Sequence, residues 1–258
     1  MPYPFPLIEK PEGDWRDPFE HMAIEMSYVH NVLIRGLNAI YAQAREVEGD
    51  KIKPFAFFCS SFVSRNCLRP GYFSTLIPLR FAMLHHHHGM EEKLIFPYLE
   101  ARMGENAMSP NVDQHNLFMN GVKVFEEHMS AVHVGQIAYD GVQVVEKLDS
   151  FSEELVEHLR EEIGTLEASK MRAALSEADL RELEKQISAT LAKETPLTTV
   201  VPLILLCHNK STEPDFPPLP APVIWLAKYA FYYLHSDAWA FAPCDIYGTV
   251  KPGLGNVV

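Results

Sequence analysis

The hydrophobic and polar positions of this chain recur with the period of an α-helix over several long stretches. Over residues 21–44, apolar side chains return at intervals of three or four residues. The recurring positions are Ile24, Tyr28, Leu33, Leu37, Ile40 and Tyr41. Pro18 lies just before this stretch, where the first turn of a helix accepts proline. The pattern predicts an amphipathic helix, helix A, over residues 21–44.

Three further long helices are predicted downstream. Helix B covers residues 72–103, after a crossover with short helical pieces at residues 54–71. Helix C covers residues 113–147, with glycines that can kink it, and helix D runs from an N-cap at Ser152 to about residue 174. Another helix is predicted over residues 177–193. Strand-like alternation is absent from the sequence, which therefore predicts an all-α, up-down four-helix bundle with extra helices.

The composition changes from Thr195 onward. Seven prolines precede Trp225, and a run rich in aromatic side chains follows. This pattern predicts a proline- and aromatic-rich C-terminal extension that packs on the bundle. The expected division is a bundle domain over residues 1–175 and a helical extension over residues 176–258.

Charge and apolar run length narrow the classes of partner. The chain has 34 acidic and 22 basic residues, a net charge of −12, and no lysine or arginine run, so nucleic acid and anionic membranes are not expected partners. The longest apolar stretches, residues 196–207 and 222–234, fall short of the roughly 20 residues that span a bilayer. We therefore expect a protein that binds neither nucleic acid nor membrane.

The cysteines and the first residues indicate a compartment. Four cysteines are spread along the chain without a C-x-x-C motif, which is typical of reduced thiols rather than of a disulfide framework or a zinc finger. The first 15 residues are rich in proline and lack the apolar core of a signal peptide. The expected location is cytoplasmic.

Histidines and glutamates supply the candidate chemistry. The pairs His87 with Glu91 and His158 with Glu162 each place a carboxylate four residues after an imidazole, on one face of a predicted helix. One such pair alone is more often an ordinary surface pairing than a metal site. Its recurrence on two helices makes metal binding the better interpretation.

The other two predicted helices each add a nitrogen donor, His30 on helix A and His115 on helix C. Imidazole mixed with carboxylate suits iron, manganese or zinc, and a carboxylate can bridge two ions roughly 3.5–4 Å apart. Ferritin-like bundles use the reverse motif, E-x-x-H, and no histidine here has a glutamate three residues before it. The sequence therefore predicts a metal site inside a bundle of a different kind.

Four segments of the chain resemble the hemerythrin-like, or HHE cation-binding, family of fungal type. They are YVHN at residues 28–31, HHHHGMEEKLIFPYLE at 85–100, DQH at 113–115 and EHLREE at 157–162. The resemblance covers roughly residues 15–175, and the tail more loosely resembles the extension of fungal members. It implies a four-helix bundle around two non-haem iron ions. Members of the family bind oxygen, sense iron, reduce peroxides or oxidise small metabolites.

The resemblance also implies a set of metal ligands. Six residues match the pattern of the family, and they are His30, His87, Glu91, His115, His158 and Glu162. The register against the following Phe-Pro step favours His87 with Glu91, and His88 with Glu92 remains the alternative pair.

One position departs from the oxygen-carrying members, which place a second histidine four residues after the first on helix C. Here that position is Met119. Methionine is often ordinary core filler, but a missing nitrogen ligand would also leave a coordination position open to oxygen or substrate.

Two functions follow as hypotheses. The first is a diiron oxidase or oxygenase that activates O2 and acts on a small organic molecule. The second is a non-enzymatic carrier, sensor or store of oxygen or iron. A histidine-rich helical protein without a metal role is the remaining alternative.

Overall fold

A computed structural model describes residues 4–63, 83–252 and 254, and over these residues the fold is all-α, as predicted. The α-helices are α1 Pro18–Gln43, α2 Ile52–Val63, α3 Met83–Met90, α4 Phe96–Met103, α5 Ser109–His133, α6 Gly141–Asp149, α7 Ser152–Thr165, α8 Ala168–Ala174, α9 Glu177–Glu194, α10 Val200–Cys207, α11 Ala221–Tyr229 and α12 Ser236–Trp239. A π-helical stretch, Glu91–Ile95, joins α3 to α4, and short 3-10 turns occupy Gly49–Lys51 and Phe231–Leu234. No helix in the described part of the chain combines the length and the apolar character that crossing a membrane requires.

Four helical segments form the bundle, namely α1, the continuous α3–α4 segment, α5 and α7. Their apolar side chains belong to two separate clusters. Along α1, for example, Met26 belongs to one cluster and Leu33 to the other, with His30 between them. The same change of cluster occurs on α5, on α7 and on the α3–α4 segment. A polar layer therefore crosses the bundle between two apolar regions.

The helix limits differ from the sequence prediction in three places. The predicted helix C is two helices, because Gly135 takes a left-handed backbone (φ +75°) just after α5 and Asp140 caps the start of α6. The predicted helix D stops at Thr165, and α8 follows as a separate short helix. The crossover contains a 12-residue helix, α2, whose residues 55–63 are all buried. Residues 72–82 of the predicted helix B lie outside the described residues.

The C-terminal segment begins with the predicted helix and packs on the bundle. Ser176 and Asp179 form a reciprocal capping box that starts α9. Further along, Phe241 packs edge-on against Phe55 of α2, with ring centroids 5.0 Å apart. Residues from both parts of the chain share the larger apolar cluster, while the domain boundary at residue 175 stays a prediction.

A buried ion pair also joins the two parts. The guanidinium of Arg35 on α1 donates to both carboxylate oxygens of Glu213, at 2.9 and 2.7 Å, and both side chains are almost fully buried. This two-point contact fixes the segment after α10 against the middle of α1.

Candidate metal centre

The polar layer holds two groups of four possible metal ligands, and both groups include Glu91. The first comprises His88, Glu91, His115 and His158; the second comprises His30, His87, Glu91 and Glu162. Within each group, one ligand atom from every residue lies within 4.8 Å of the others. The structure thus brings together all six residues singled out in the sequence and adds His88.

The first group is centred on two imidazoles that point at each other. Nε2 of His115 lies 2.9 Å from Nε2 of His158. The Glu91 Oε2 atom is 3.6 Å from the first of these nitrogens, and the Glu162 Oε2 atom is 3.7 Å from the second. The His88 ring stacks obliquely on His115, with centroids 4.3 Å apart.

The second group repeats this arrangement with a different balance of donors. Nε2 of His30 lies 3.0 Å from Nε2 of His87. The Glu162 Oε2 atom is 3.2 Å from the former nitrogen, and the Glu91 Oε1 atom is 2.9 Å from the latter. The two oxygens of Glu91 therefore face different groups, as in a carboxylate that bridges two ions.

Contacts behind the imidazoles set which nitrogen is free to bind a cation. Nδ1 of His30 donates to the Leu159 carbonyl (2.6 Å), Nδ1 of His115 to Glu92 Oε1 (2.8 Å), and Nδ1 of His158 to Gln114 Oε1 (3.0 Å). The Gln114 amide is oriented by its own donation to Glu161. Because oxygen atoms only accept here, the protons sit on Nδ1 and the Nε2 lone pairs point into the centre.

This protonation pattern creates an electrostatic problem that a cation solves. Nδ1 of His115 and Nδ1 of His158 each contact an oxygen acceptor, which leaves their two Nε2 atoms facing each other across 2.9 Å. Burial lowers the pKa of His158 to about 2, with the neighbouring His115 adding to the effect, so the imidazole is neutral at ordinary pH. The two nitrogens attract a shared positive ion and repel each other without one.

Burial also disfavours the charged forms of His87, His88 and Glu91. It lowers the pKa of His87 and of His88 well below the usual imidazole range, with neighbouring histidines contributing. It also raises the pKa of Glu91 well above the usual carboxyl range, and repulsion from Glu162 adds to this. A bound cation would reverse the last effect, because it stabilises the ionised carboxylate.

Unsatisfied polar atoms give a direct test of whether a metal fits. Among the described residues, both nitrogens of His88 and all four carboxylate oxygens of Glu91 and Glu162 are buried without a hydrogen-bond partner. Leaving such atoms unpaired costs roughly 1–3 kcal/mol each, and more when they are charged. The donors are imidazole nitrogen and carboxylate oxygen, which suit iron, manganese and zinc, so these residues fit a pair of such ions.

His88 is the candidate ligand that the sequence offered only as part of an alternative pair. Helical residues are about 100° apart, so a residue four positions after His87 and three after His88 lies between the two around the helix axis. Glu91 occupies this position and serves both rings. Glu92, the other member of the alternative pair, is 46% exposed and contacts the centre only through His115.

The location of Met119 changes the interpretation of the missing histidine. Its side chain is partly buried and packs on the larger apolar cluster. The first group nevertheless has three nitrogen donors, because His88 supplies the third from the α3 helix. The group with fewer nitrogens is the second, in which His30 and His87 are accompanied by two carboxylates, those of Glu91 and Glu162.

Comparison with known proteins agrees with this geometry. The sequence pattern of the hemerythrin HHE cation-binding domain matches residues 21–168, a span that contains all seven candidate ligands. The chain is also 28% identical over 257 residues to the dimeric xanthone biosynthesis cluster protein R11 of Cryptosporiopsis sp. (strain 8999), covering 96% of this chain and 89% of that relative. No solved structure matches the chain.

Proposed function

The chain belongs to the hemerythrin HHE cation-binding family, and from this premise we propose that it is a non-haem diiron protein that uses O2 to oxidise a small organic molecule. Its ligands would be the six residues recognised in the sequence together with His88. Bound iron would supply the electrons that reduce dioxygen.

The unequal division of donors between the two groups carries this proposal. His88, His115 and His158 offer three nitrogens on one side, whereas His30 and His87 offer two on the other. Two histidines with carboxylate are the donor set of non-haem iron oxygenases, which keep coordination positions free for reactants. The family and the mixed donor set favour iron over manganese or zinc.

The surrounding residues prepare the site for this chemistry. Glu92, Gln114 and the Leu159 carbonyl hold three imidazoles with Nε2 directed inward. Apolar clusters on both sides of the polar layer keep bulk water away. Such exclusion limits the side reactions that water and stray protons would otherwise cause.

The relative suggests a class of substrate. Its name connects it with the biosynthesis of dimeric xanthones, which are aromatic compounds. We therefore propose small aromatic molecules, phenols in particular, as the first substrates to test.

The described cysteines are free and buried, which suits a reducing compartment such as the cytoplasm.

A second function is favoured by the same ligand set. With His88 included, the centre has five nitrogen donors and two carboxylates. His88 thus replaces the nitrogen donor that is missing at Met119. A centre complete in nitrogen donors suits a carrier, sensor or store of oxygen or iron, which binds without turnover.

Anaerobic loading with ferrous iron followed by exposure to O2 tests both functions. The proposal predicts two iron ions per chain, an absorption band in the near ultraviolet, and O2 consumption that yields product when a phenol is present. The variant H30A/H87A is expected to lose the iron of the second group and to abolish consumption.

The outcomes separate the alternatives. Reversible oxygen uptake without product from a panel of phenols would favour the carrier. A chain that binds neither iron, manganese nor zinc at these residues would overturn both functions.

A further inference from the structure

Among the described candidate ligands, His87 is the most accessible to solvent. Six of the seven candidate ligands are 0–3% exposed, whereas the side chain of His87 is 10% exposed. Most of the His87 ring is therefore covered by the surrounding chain. A small molecule can meet the centre here, and a larger one requires some part of the surroundings to move.

The element beside this edge comes from the C-terminal segment. Helix α9 packs on both α1 and the π-helical stretch that carries Glu91, so it covers the seam between the helices bearing His30 and His87. At its start, the Tyr98 hydroxyl donates to the Asp179 carbonyl (2.8 Å) and Arg102 pairs with the Asp179 carboxylate. The beginning of α9 is thus firmly attached.

The packing of α9 weakens toward its end. Its apolar stripe passes from Leu180 and Leu183, which are buried, through the partly buried Ile187 to Leu191, which is 38% exposed. The last turn of the helix is exposed as well. Helix α9 therefore separates from the bundle as it approaches the level of the histidine run.

A side-chain hydrogen bond reattaches the chain there. Nε2 of His86 and the hydroxyl of Thr195, the residue that follows α9, are 2.9 Å apart. His86 precedes His87 in the sequence, so this bond ties the junction between α9 and α10 to the helix turn that presents the exposed ligand. The segment that it ties down is otherwise loosely packed, and such segments open locally.

We propose that the α9–α10 junction is a gate to the metal centre, and that Thr195 sets the size of molecule that reaches His87. With Thr195 bonded to His86, the gap admits molecules of the size of O2. Release of this bond lets the end of α9 move away and exposes His87 to an organic molecule. The inference rests on the proposed function for its purpose, but the opening itself is a property of the chain.

Chemical labelling of the metal-free, full-length protein measures this opening. Diethyl pyrocarbonate acylates neutral imidazoles and is larger than the gap, so its rate at His87, mapped by mass spectrometry, reports how often the gate opens. The variant T195V keeps the bulk of the side chain and removes the hydroxyl. It is expected to raise the rate at His87 about fivefold, the factor that corresponds to one ordinary hydrogen bond.

Matched variants separate this effect from general loosening. Thr190 lies on the same helix, and its hydroxyl bonds only to the Gln186 carbonyl within the helix, so T190V should leave the His87 rate unchanged. T195S keeps the hydroxyl and should retain the wild-type rate. Equal rates in T195V and wild type would overturn the gate, as would a parallel increase at the fully buried His30 and His158.

The iron-loaded protein supplies a second measurement. Removal of ferrous iron by the bulky chelator bathophenanthroline disulfonate should accelerate in T195V by a similar factor and remain unchanged in T190V. If the chelator rate does not follow the labelling rate, the junction is not the route to the centre. A protein that takes up no iron would overturn the proposed function, while the labelling of His87 would still decide whether the gate exists.

Discussion

Replacing Glu91 by glutamine should remove at least one of the two proposed metal ions, whereas the same change at the adjacent Glu92 should only weaken their binding. The carboxylate of Glu91 is fully buried, with its oxygens 2.9 Å from Nε2 of His87 and 3.6 Å from Nε2 of His115. That of Glu92 is 46% exposed and contacts only Nδ1 of His115. Two neighbouring glutamates therefore provide a matched pair of variants.

The expected magnitudes follow from these positions. Loss of a partner behind a metal ligand typically lowers affinity about 10–100-fold, which is the effect expected for E92Q. E91Q removes a charged donor from both groups, so each ion should lose more than about 100-fold, or roughly 3 kcal/mol. At micromolar metal, this difference should appear as a change in stoichiometry.

In the metal-free protein, the E91Q substitution should be stabilising. In the folded chain, Glu91 is buried without a hydrogen-bond partner among the described residues, and burial together with Glu162 raises its pKa. The folded state therefore keeps a proton that the unfolded state releases, so stability falls as pH rises above the ordinary carboxyl range. E91Q should remove this loss and raise the free energy of unfolding at neutral pH by about 1–3 kcal/mol.

Metal analysis after equilibrium dialysis, with urea unfolding of the metal-free proteins at pH 4 and pH 7, measures both effects. The stability difference between E91Q and wild type should be present at pH 7 and shrink at pH 4. Retention of two ions in E91Q with wild-type affinity would refute the shared carboxylate. So would an E92Q variant that loses metal as completely as E91Q.

Other regions give further expected outcomes. R35M should lower the free energy of unfolding in urea by about 3–5 kcal/mol, because Glu213 would keep a buried charge without its partner, and R35M/E213L should recover most of the loss. H88A should reduce the metal content toward one ion per chain, and H88A/M119H should recover part of it, because residue 119 lies one helical turn after His115; elemental analysis checks both. Burial raises the pKa of the Cys207 thiol, so it should resist iodoacetamide at pH 8 in the folded protein and react after unfolding, as mapped by mass spectrometry.

Local signals in the sequence predicted the elements whose structure depends on neighbouring residues. Ser176 before an apolar pattern predicts the start of the helix over residues 177–193, and in the structure Ser176 forms the reciprocal cap of α9 with Asp179. The histidine and glutamate four residues apart predict that His158 and Glu162 share a face, and both lie in the polar layer. Because such interactions join residues within one helical turn, the local sequence is enough to predict them.

The interruption of helix C depends on distant residues, and the sequence could not locate it. Gly121, Gly135 and Gly141 are all possible breaks, but of these only Gly135 takes a left-handed backbone. Gly121 lies inside α5, where an added Cβ would be 2.6 Å from the Cβ of Phe151. A glycine in a helical pattern therefore marks either a break or a close approach, and the packing partner decides between them.

The choice between His87 and His88 also depended on distant residues. Register against the Phe-Pro step treats His87 and His88 as alternatives, because it assigns one histidine to each helix. In the folded chain, both rings find partners. His87 contacts the histidine of α1, and His88 contacts the histidines of α5 and α7. The spacing of three residues between His88 and Glu91 was the available signal.

The contact between His30 and the Leu159 carbonyl joins residues 129 positions apart, and this separation has a consequence for how the protein acquires metal. Donors on α1 remain without their partners on α7 until synthesis has passed Glu162 and the last bundle helix has docked. Ions that bind afterwards connect residues at the two ends of a long loop. Folding has by then already offset the entropy cost of closing that loop. Metal uptake is then a late event that reports completed folding, and a chain truncated before α7 should remain metal-free even when iron is plentiful.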